Sequence, residues 1–185
     1  MDVLWPKDKT APADYGQDGR IFAARFSPEF VSVRRQLQGI RTWAEDLLSK
    51  DDLDRVSLVL AEAMNNIVEH AGLAQGQFIT VYARYALGGL TVMMRDQGKP
   101  FPDNQVPAGT KPECADFPEG GYGWLLIHEL SDRLTYHRTE FGNSLTLFFE
   151  TEVAGGAYPT INKQCPNFSL NRPHSRRHHR AKLIL

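Results

Sequence analysis

The stretch Leu58-Val59-Leu60-Ala61-Glu62-Ala63-Met64-Asn65-Asn66-Ile67-Val68-Glu69-His70-Ala71 constrains the chain more than any other. It holds no proline or glycine, and most of its residues are good helix formers. Leu60, Met64, Ile67 and Ala71 recur at the spacing of one buried helical face. Glu62, Asn66 and His70 recur every four residues, and at about 100° per residue they form a stripe along the same helix. On the helical wheel Val59 falls between Asn66 and His70, so the stripe borders the apolar face instead of lying opposite it. Burying such groups costs free energy unless partners satisfy them. A carboxylate, a carboxamide and an imidazole at that border predict a helix forming one wall of a polar pocket.

The rest of the chain reads as a frame for that helix. Residues 1–19, with two prolines, two glycines and several charges, form a loose leader. Ile21 to Phe26 is a short strand. Ser27-Pro28-Glu29 supplies an N-cap, a first-turn proline and an acid for a helix running to about Ser49. Phe30, Val33, Leu37, Ile40, Trp43 and Leu47 are its apolar stripe, and Gly39 weakens it locally. Asp51-Asp52 opens the second helix and Gly72 closes it. Gln77 to Tyr85 and Leu90 to Arg95 are two strands joined through Gly88-Gly89.

From Asp96 to Glu119 the chain has five prolines and little periodicity. Loops that long inside a compact domain are functional or disordered. Gly120-Gly121-Tyr122-Gly123 then leads into an apolar helix, Trp124 to Leu130. Leu134 to Arg138 and Leu145 to Phe149 are two further strands, with a turn through Gly142-Asn143. The fold class is α/β: a two-layer α/β sandwich in which a mixed, mostly antiparallel sheet is covered by helices.

Composition excludes several classes. The first 170 residues hold 16 of the 21 basic residues and all 22 acids, a formal −6. That acidic body argues against direct nucleic-acid binding, which needs a basic surface. Cys114 and Cys165 give neither metal spacing nor a disulfide framework. Met1 to Asp18 lacks the apolar centre of a signal peptide, and no apolar run approaches the roughly 20 residues needed to span a bilayer. No membrane association is expected, and a cytoplasmic address is.

Three features carry chemistry. Glycines before a helix let backbone amides approach an anion, aided by the helix dipole, or they form a plain turn. The run lacks the Walker lysine and the strand that precedes a dinucleotide fingerprint. Asp96, at a strand end before Gly98, either accepts a hydrogen bond from a ligand amino group or shapes an Asx turn. On the stripe, an Asn can give Mg²⁺ an oxygen ligand and a Glu one turn earlier can act as general base toward a hydroxyl.

Together, Glu62-x-x-x-Asn66-x-x-x-His70-Ala71, Asp96-x-Gly98-x-Pro100-Phe101 and Gly120-Gly121-x-Gly123 resemble the N box and two glycine boxes of the GHKL ATPase superfamily, the histidine-kinase-like Bergerat fold. Within it, the compact size and the strand Gly142-Asn143-Ser144-Leu145-Thr146-Leu147 are most similar to the anti-sigma factor serine/threonine kinases. The resemblance covers about residues 20–150. It implies a domain at 20–152 that binds ATP and Mg²⁺; after about Glu152 the pattern stops, and the basic, His-rich composition of 153–185 reads as a disordered tail.

By that resemblance Asn66 holds Mg²⁺ against the ATP phosphates and Glu62 is the catalytic base. Asp96 reads the adenine amino group, and Gly98 lets the base lie close. Gly120, Gly121 and Gly123 wrap the phosphates, and residues 99–119 are the ATP lid. Thr146 helps position the adenine end. His70 either touches the ligand or packs against the pocket. The implied function is phosphoryl transfer to a serine or threonine of a STAS-type anti-sigma factor antagonist, with a sigma factor as second partner and a homodimer as the assembly. A non-catalytic ATP-binding switch, and a detached histidine-kinase catalytic domain, are the alternatives; the helix over 28–49 holds no phosphoacceptor histidine.

Overall fold

A computed structural model of the chain describes residues 19–86, 88–109 and 122–151. The expectations for the leader, the basic tail, Gly120, Gly121 and the later part of the lid lie outside the described residues. Five strands and three α-helices make up the domain: β1 (Arg20–Phe26), α1 (Phe30–Ala44), α2 (Lys50–His70), β2 (Ile79–Ala86), β3 (Gly89–Asp96), α3 (Gly123–Leu130), β4 (Arg133–Thr139) and β5 (Gly142–Glu150). A short 3-10 turn, Pro102–Asn104, interrupts the long connection after β3. The strands form one sheet in the order β1-β2-β3-β5-β4, and every pairing is antiparallel. The expected two-layer α/β sandwich is borne out, without the parallel pair that a mixed sheet would contain.

Strand alternation decides which face meets the helices. Ile79, Val81 and Ala83 of β2, Leu90, Val92 and Met94 of β3, and Leu145, Leu147 and Phe149 of β5 are buried on one face. Against them lies α2, through Val56, Val59, Leu60, Ala63, Met64 and Ile67, all 5% exposed or less. At Gly39 of α1 a Cβ would lie 3.4 Å from the Phe22 ring of β1, an ordinary van der Waals contact, so α1 and β1 pack closely there without requiring the glycine.

The first helix is shorter than its apolar stripe suggests. It begins after Glu29, whose carbonyl accepts from Val33 N, while the Ser27 hydroxyl pairs with Ser32 instead of capping. It ends at Ala44 because Leu47 N and Leu48 N both turn back onto the Ala44 carbonyl. Ser49 cannot be helical and also cap α2. It is extended (φ −61°, ψ 159°), and its Oγ accepts from Asp52 N at 3.2 Å. At the other end of α2, Gly72 takes the left-handed φ of +61° that follows a helix.

Arg55 locks α2 to the far edge of the sheet. Its guanidinium donates to the Glu150 carbonyl at 2.6 Å, and to Asp52 at 3.0 Å and Asp132 at 3.2 Å. A planar fork with several donors suits this three-way contact better than an ammonium would. The turn between β4 and β5 is Glu140-Phe141, so Gly142 and Asn143 belong to β5 and not to the turn. Leu60 is fully buried between α2 and the sheet. Leu60→Ala is expected to cost about 2–5 kcal/mol of stability, read as a lower urea midpoint at unchanged slope.

Candidate functional site

The α2 stripe and the start of α3 meet. On Gly123, the first residue of α3, an added Cβ would lie 2.7 Å from Glu62 Oε2 and 3.6 Å from Asn66 Nδ2. The carboxylate thus lies against the first residue of α3 and faces the N-terminal end of that helix, where the dipole favours negative charge. Asn66 is half-buried, and its Nδ2 is fully buried with no hydrogen-bond partner. An unpaired buried amide costs free energy in the protein alone.

Nine residues further along α2, about 14 Å of helix, a second cluster is built around Asp96. This carboxylate is 7% exposed at the end of β3. Its Oδ1 accepts from Gly98 N and from Asn143 Nδ2, both at 2.8 Å. No donor among the described residues reaches Oδ2. Burial pushes the Asp96 carboxyl above the usual carboxylate range, opposed by the Asn143 and Gly98 hydrogen bonds and by the Arg138 charge.

Two glycines make the corner possible. A Cβ on Gly98 would overlap the Ala71 carbonyl at the end of α2, and Lys99 N donates to that same carbonyl at 2.7 Å. Gly142 has φ +132°, and a Cβ there would overlap the Asp96 carbonyl. Glycine thus permits α2 and β5 to close on the two sides of Asp96. Asn143 binds the parts together. It is 7% exposed, it donates to Asp96 and to the Lys99 carbonyl, and its Oδ1 accepts from Tyr136 Oη at 2.6 Å and Arg138 Nη1 at 2.9 Å.

The segment after Gly98 bridges the two ends of the site. Phe101 N donates to Tyr136 Oη at 3.3 Å, and the Phe101 ring stacks obliquely on Tyr136 at 4.6 Å between centroids. The same ring meets Trp124, the second residue of α3, edge-on at 5.1 Å. Further on, Gly109 lies against α3, where a Cβ would come 2.8 Å from Leu125 Cα.

Of the residues named from the sequence, Glu62, Asn66 and Gly123 come together at one end, and Asp96 and Gly98 at the other. Gly120 and Gly121 lie outside the described residues. His70 is at the exposed end of α2, with its ring 3.6 Å from Glu69. Thr146 is not brought to this corner. It pairs with Met93 and Thr135, one residue out of phase with Asp96 and Asn143, and so lies on the opposite face of the sheet. Asn143, Tyr136 and Arg138 were missed by sequence reasoning. Gly-Asn reads as a turn, and only the register of β5 against β3 shows the Asn facing Asp96.

Residues 26–149 match the profile of the histidine kinase-like ATPase domain. The chain is similar to the serine-protein kinase RsbW from two strains of Staphylococcus aureus, at 28% identity over 135 residues, covering 68% of this chain and 84% of each relative. Among solved structures, that of the RsbU and RsbW domains of a Mycobacterium tuberculosis protein superposes with a TM-score of 0.50 at 16% identity. The match covers 71% of this chain and 32% of that one, and it shows the fold alone. Among the described residues no helix is long and apolar enough to cross a membrane. The profile spans most of the chain and takes in both ends of the site, so the resemblance drawn from the three boxes holds: the chain belongs to the histidine kinase-like ATPase domain family.

Proposed function

We propose that the protein is an ATP-dependent serine/threonine protein kinase that acts as an anti-sigma regulatory factor. It phosphorylates a STAS-domain antagonist, binds a sigma factor, and works as a homodimer in the cytoplasm. The observation that carries the reading is the placement of Glu62 and Asn66 at the mouth of α3. The similarity to relatives named serine-protein kinases supports the class of acceptor.

In this reading the adenine amino group donates to Asp96 Oδ2, while Oδ1 is held by Gly98 and Asn143. The triphosphate runs along α2 toward Glu62, with Gly120, Gly121 and Gly123 allowing the lid and the start of α3 to close on it. Glu62 takes the proton from the acceptor hydroxyl as its oxygen attacks the γ-phosphorus. The bond to the β–γ bridging oxygen breaks and ADP leaves with that electron pair.

The residues present suit a magnesium ion that arrives with the phosphates. Asn66 makes no hydrogen bond among the described residues, so its carboxamide is uncommitted and can offer its oxygen. Among the described residues no three His, Cys, Asp or Glu side chains converge into a metal centre of their own. A single protein ligand is what Mg²⁺ commonly takes when phosphates and water fill the rest of its shell. Its contribution, when bound, is to neutralise phosphate charge. His70 and Thr146 have no part in this scheme.

Two measurements test the reading. Glu62→Gln is expected to lower phosphotransfer from ATP to a STAS antagonist by about 10²-fold or more while ATP still binds. Full transfer by this variant would remove Glu62 as the base, and binding without transfer by the wild type to any antagonist would favour a nucleotide-dependent switch. The second measurement uses the raised Asp96 carboxyl. The folded state holds that proton more tightly than the unfolded state, so this group's contribution to stability falls as pH rises through the range between the two values. ATP affinity moves the other way, since only the ionised carboxylate accepts from the amino group without competing as a donor. As pH rises above the ordinary carboxylate range, both dependences are expected to flatten in Asp96→Asn, read by thermal unfolding and by ATP titration.

A further inference from the structure

The Asn143 carboxamide is buried among groups of fixed hydrogen-bonding sense. Asp96 Oδ1, at 2.8 Å, and the Lys99 carbonyl, at 2.9 Å, only accept. Arg138 Nη1, at 2.9 Å, only donates. The Tyr136 hydroxyl, at 2.6 Å, can do either and is therefore indifferent to which end of the amide it meets. Rotating the amide by half a turn would set its oxygen against the Asp96 carboxylate and its NH₂ against a guanidinium. Arg138 is itself held, because the same Nη1 donates to the Gly98 carbonyl at 2.7 Å.

We propose that Arg138 is the positioning residue that sets base discrimination at this site. By fixing the Asn143 amide with its NH₂ toward Asp96, it presents Asp96 to the ligand as an acceptor only, so that a purine with a 6-amino group is taken over one with a 6-carbonyl. The inference rests on the reading of Asp96 as the adenine-binding carboxylate. Arg138 touches neither base nor phosphate in that reading and acts through Asn143.

The electrostatics point the same way. Burial drives the Asp96 carboxyl toward its protonated form, and the Arg138 charge opposes this. Without that charge, and with Gly98 N still donating to Oδ1, Asp96 can hold a proton on Oδ2 and donate it to the ligand. A donating carboxyl suits a 6-carbonyl as well as an ionised one suits a 6-amino group.

ADP and inosine diphosphate provide the test, because they differ at the 6-position of the purine and in the proton on its neighbouring ring nitrogen. Each is titrated calorimetrically into the full chain in magnesium buffer. The wild type is expected to bind ADP about 10–100-fold more tightly than inosine diphosphate, the range of one charged hydrogen bond. Arg138→Gln is expected to narrow that ratio to within about threefold, a loss of most of that hydrogen bond's selectivity. Arg138→Lys, which restores a cation and a donor, is expected to recover most of it. Tyr136→Phe removes the indifferent partner and is expected to weaken both nucleotides while keeping the ratio.

An unchanged ratio in Arg138→Gln overturns the proposal and leaves the adenine reading standing. So does a parallel loss of both affinities, which would make Arg138 a structural residue; thermal unfolding, insensitive to discrimination, accompanies each titration. A wild type that binds neither nucleotide overturns the adenine reading and the proposal with it.

Discussion

The buried seam between α2 and the sheet sets every distance in the site. Leu60 and Met64 are fully buried and Ile67 is 5% exposed, so the helix has little freedom to rotate or slide against Val81, Val92 and Leu147. Glu62 and Asn66 sit at the border of that seam, one turn apart, and inherit its rigidity. The C-terminal end of the same helix meets Gly98 through the Ala71 carbonyl. One packed helix therefore fixes both the carboxylate at the mouth of α3 and the floor beside Asp96.

A second constraint is the cost of burying Asp96. Two donors satisfy one of its oxygens, and one of those donors, Asn143, is held by Tyr136 and Arg138. Asn143 Oδ1 accepts from both, so the loss of either leaves the other donor in place, whereas the loss of Asn143 itself takes a partner from Asp96, Tyr136 and Arg138 at once. The other site group with an unmet requirement, Asn66 Nδ2, lies at the opposite end. The Tyr85 hydroxyl, on β2, is the second buried group without a partner among the described residues.

Much of this was legible in the sequence. Helical periodicity located α2, hairpin spacing located β2 and β3, and the stripe with the two glycine boxes marked both ends of the site. What was not legible depended on register and on competition between neighbours. Ser49 had to choose between ending one helix and capping the next, and no periodicity records that choice. Thr146 looked available until strand alternation, with Leu145, Leu147 and Phe149 facing the helices, turned it to the other side. Asn143 looked like turn chemistry because its partner lies 47 residues away.

That separation has a consequence for how the chain reaches its native state. The β2–β3 and β4–β5 hairpins close locally, but Asp96 and Asn143 meet only when β3 pairs with β5 across the whole intervening segment. Loop closure over such a span is an entropic cost met before its contacts form, and non-local pairings of this kind slow folding. A chain with only its hairpins formed has no corner around Asp96 at all. Any ligand of that corner therefore binds the completed sheet alone and draws the population toward it by mass action.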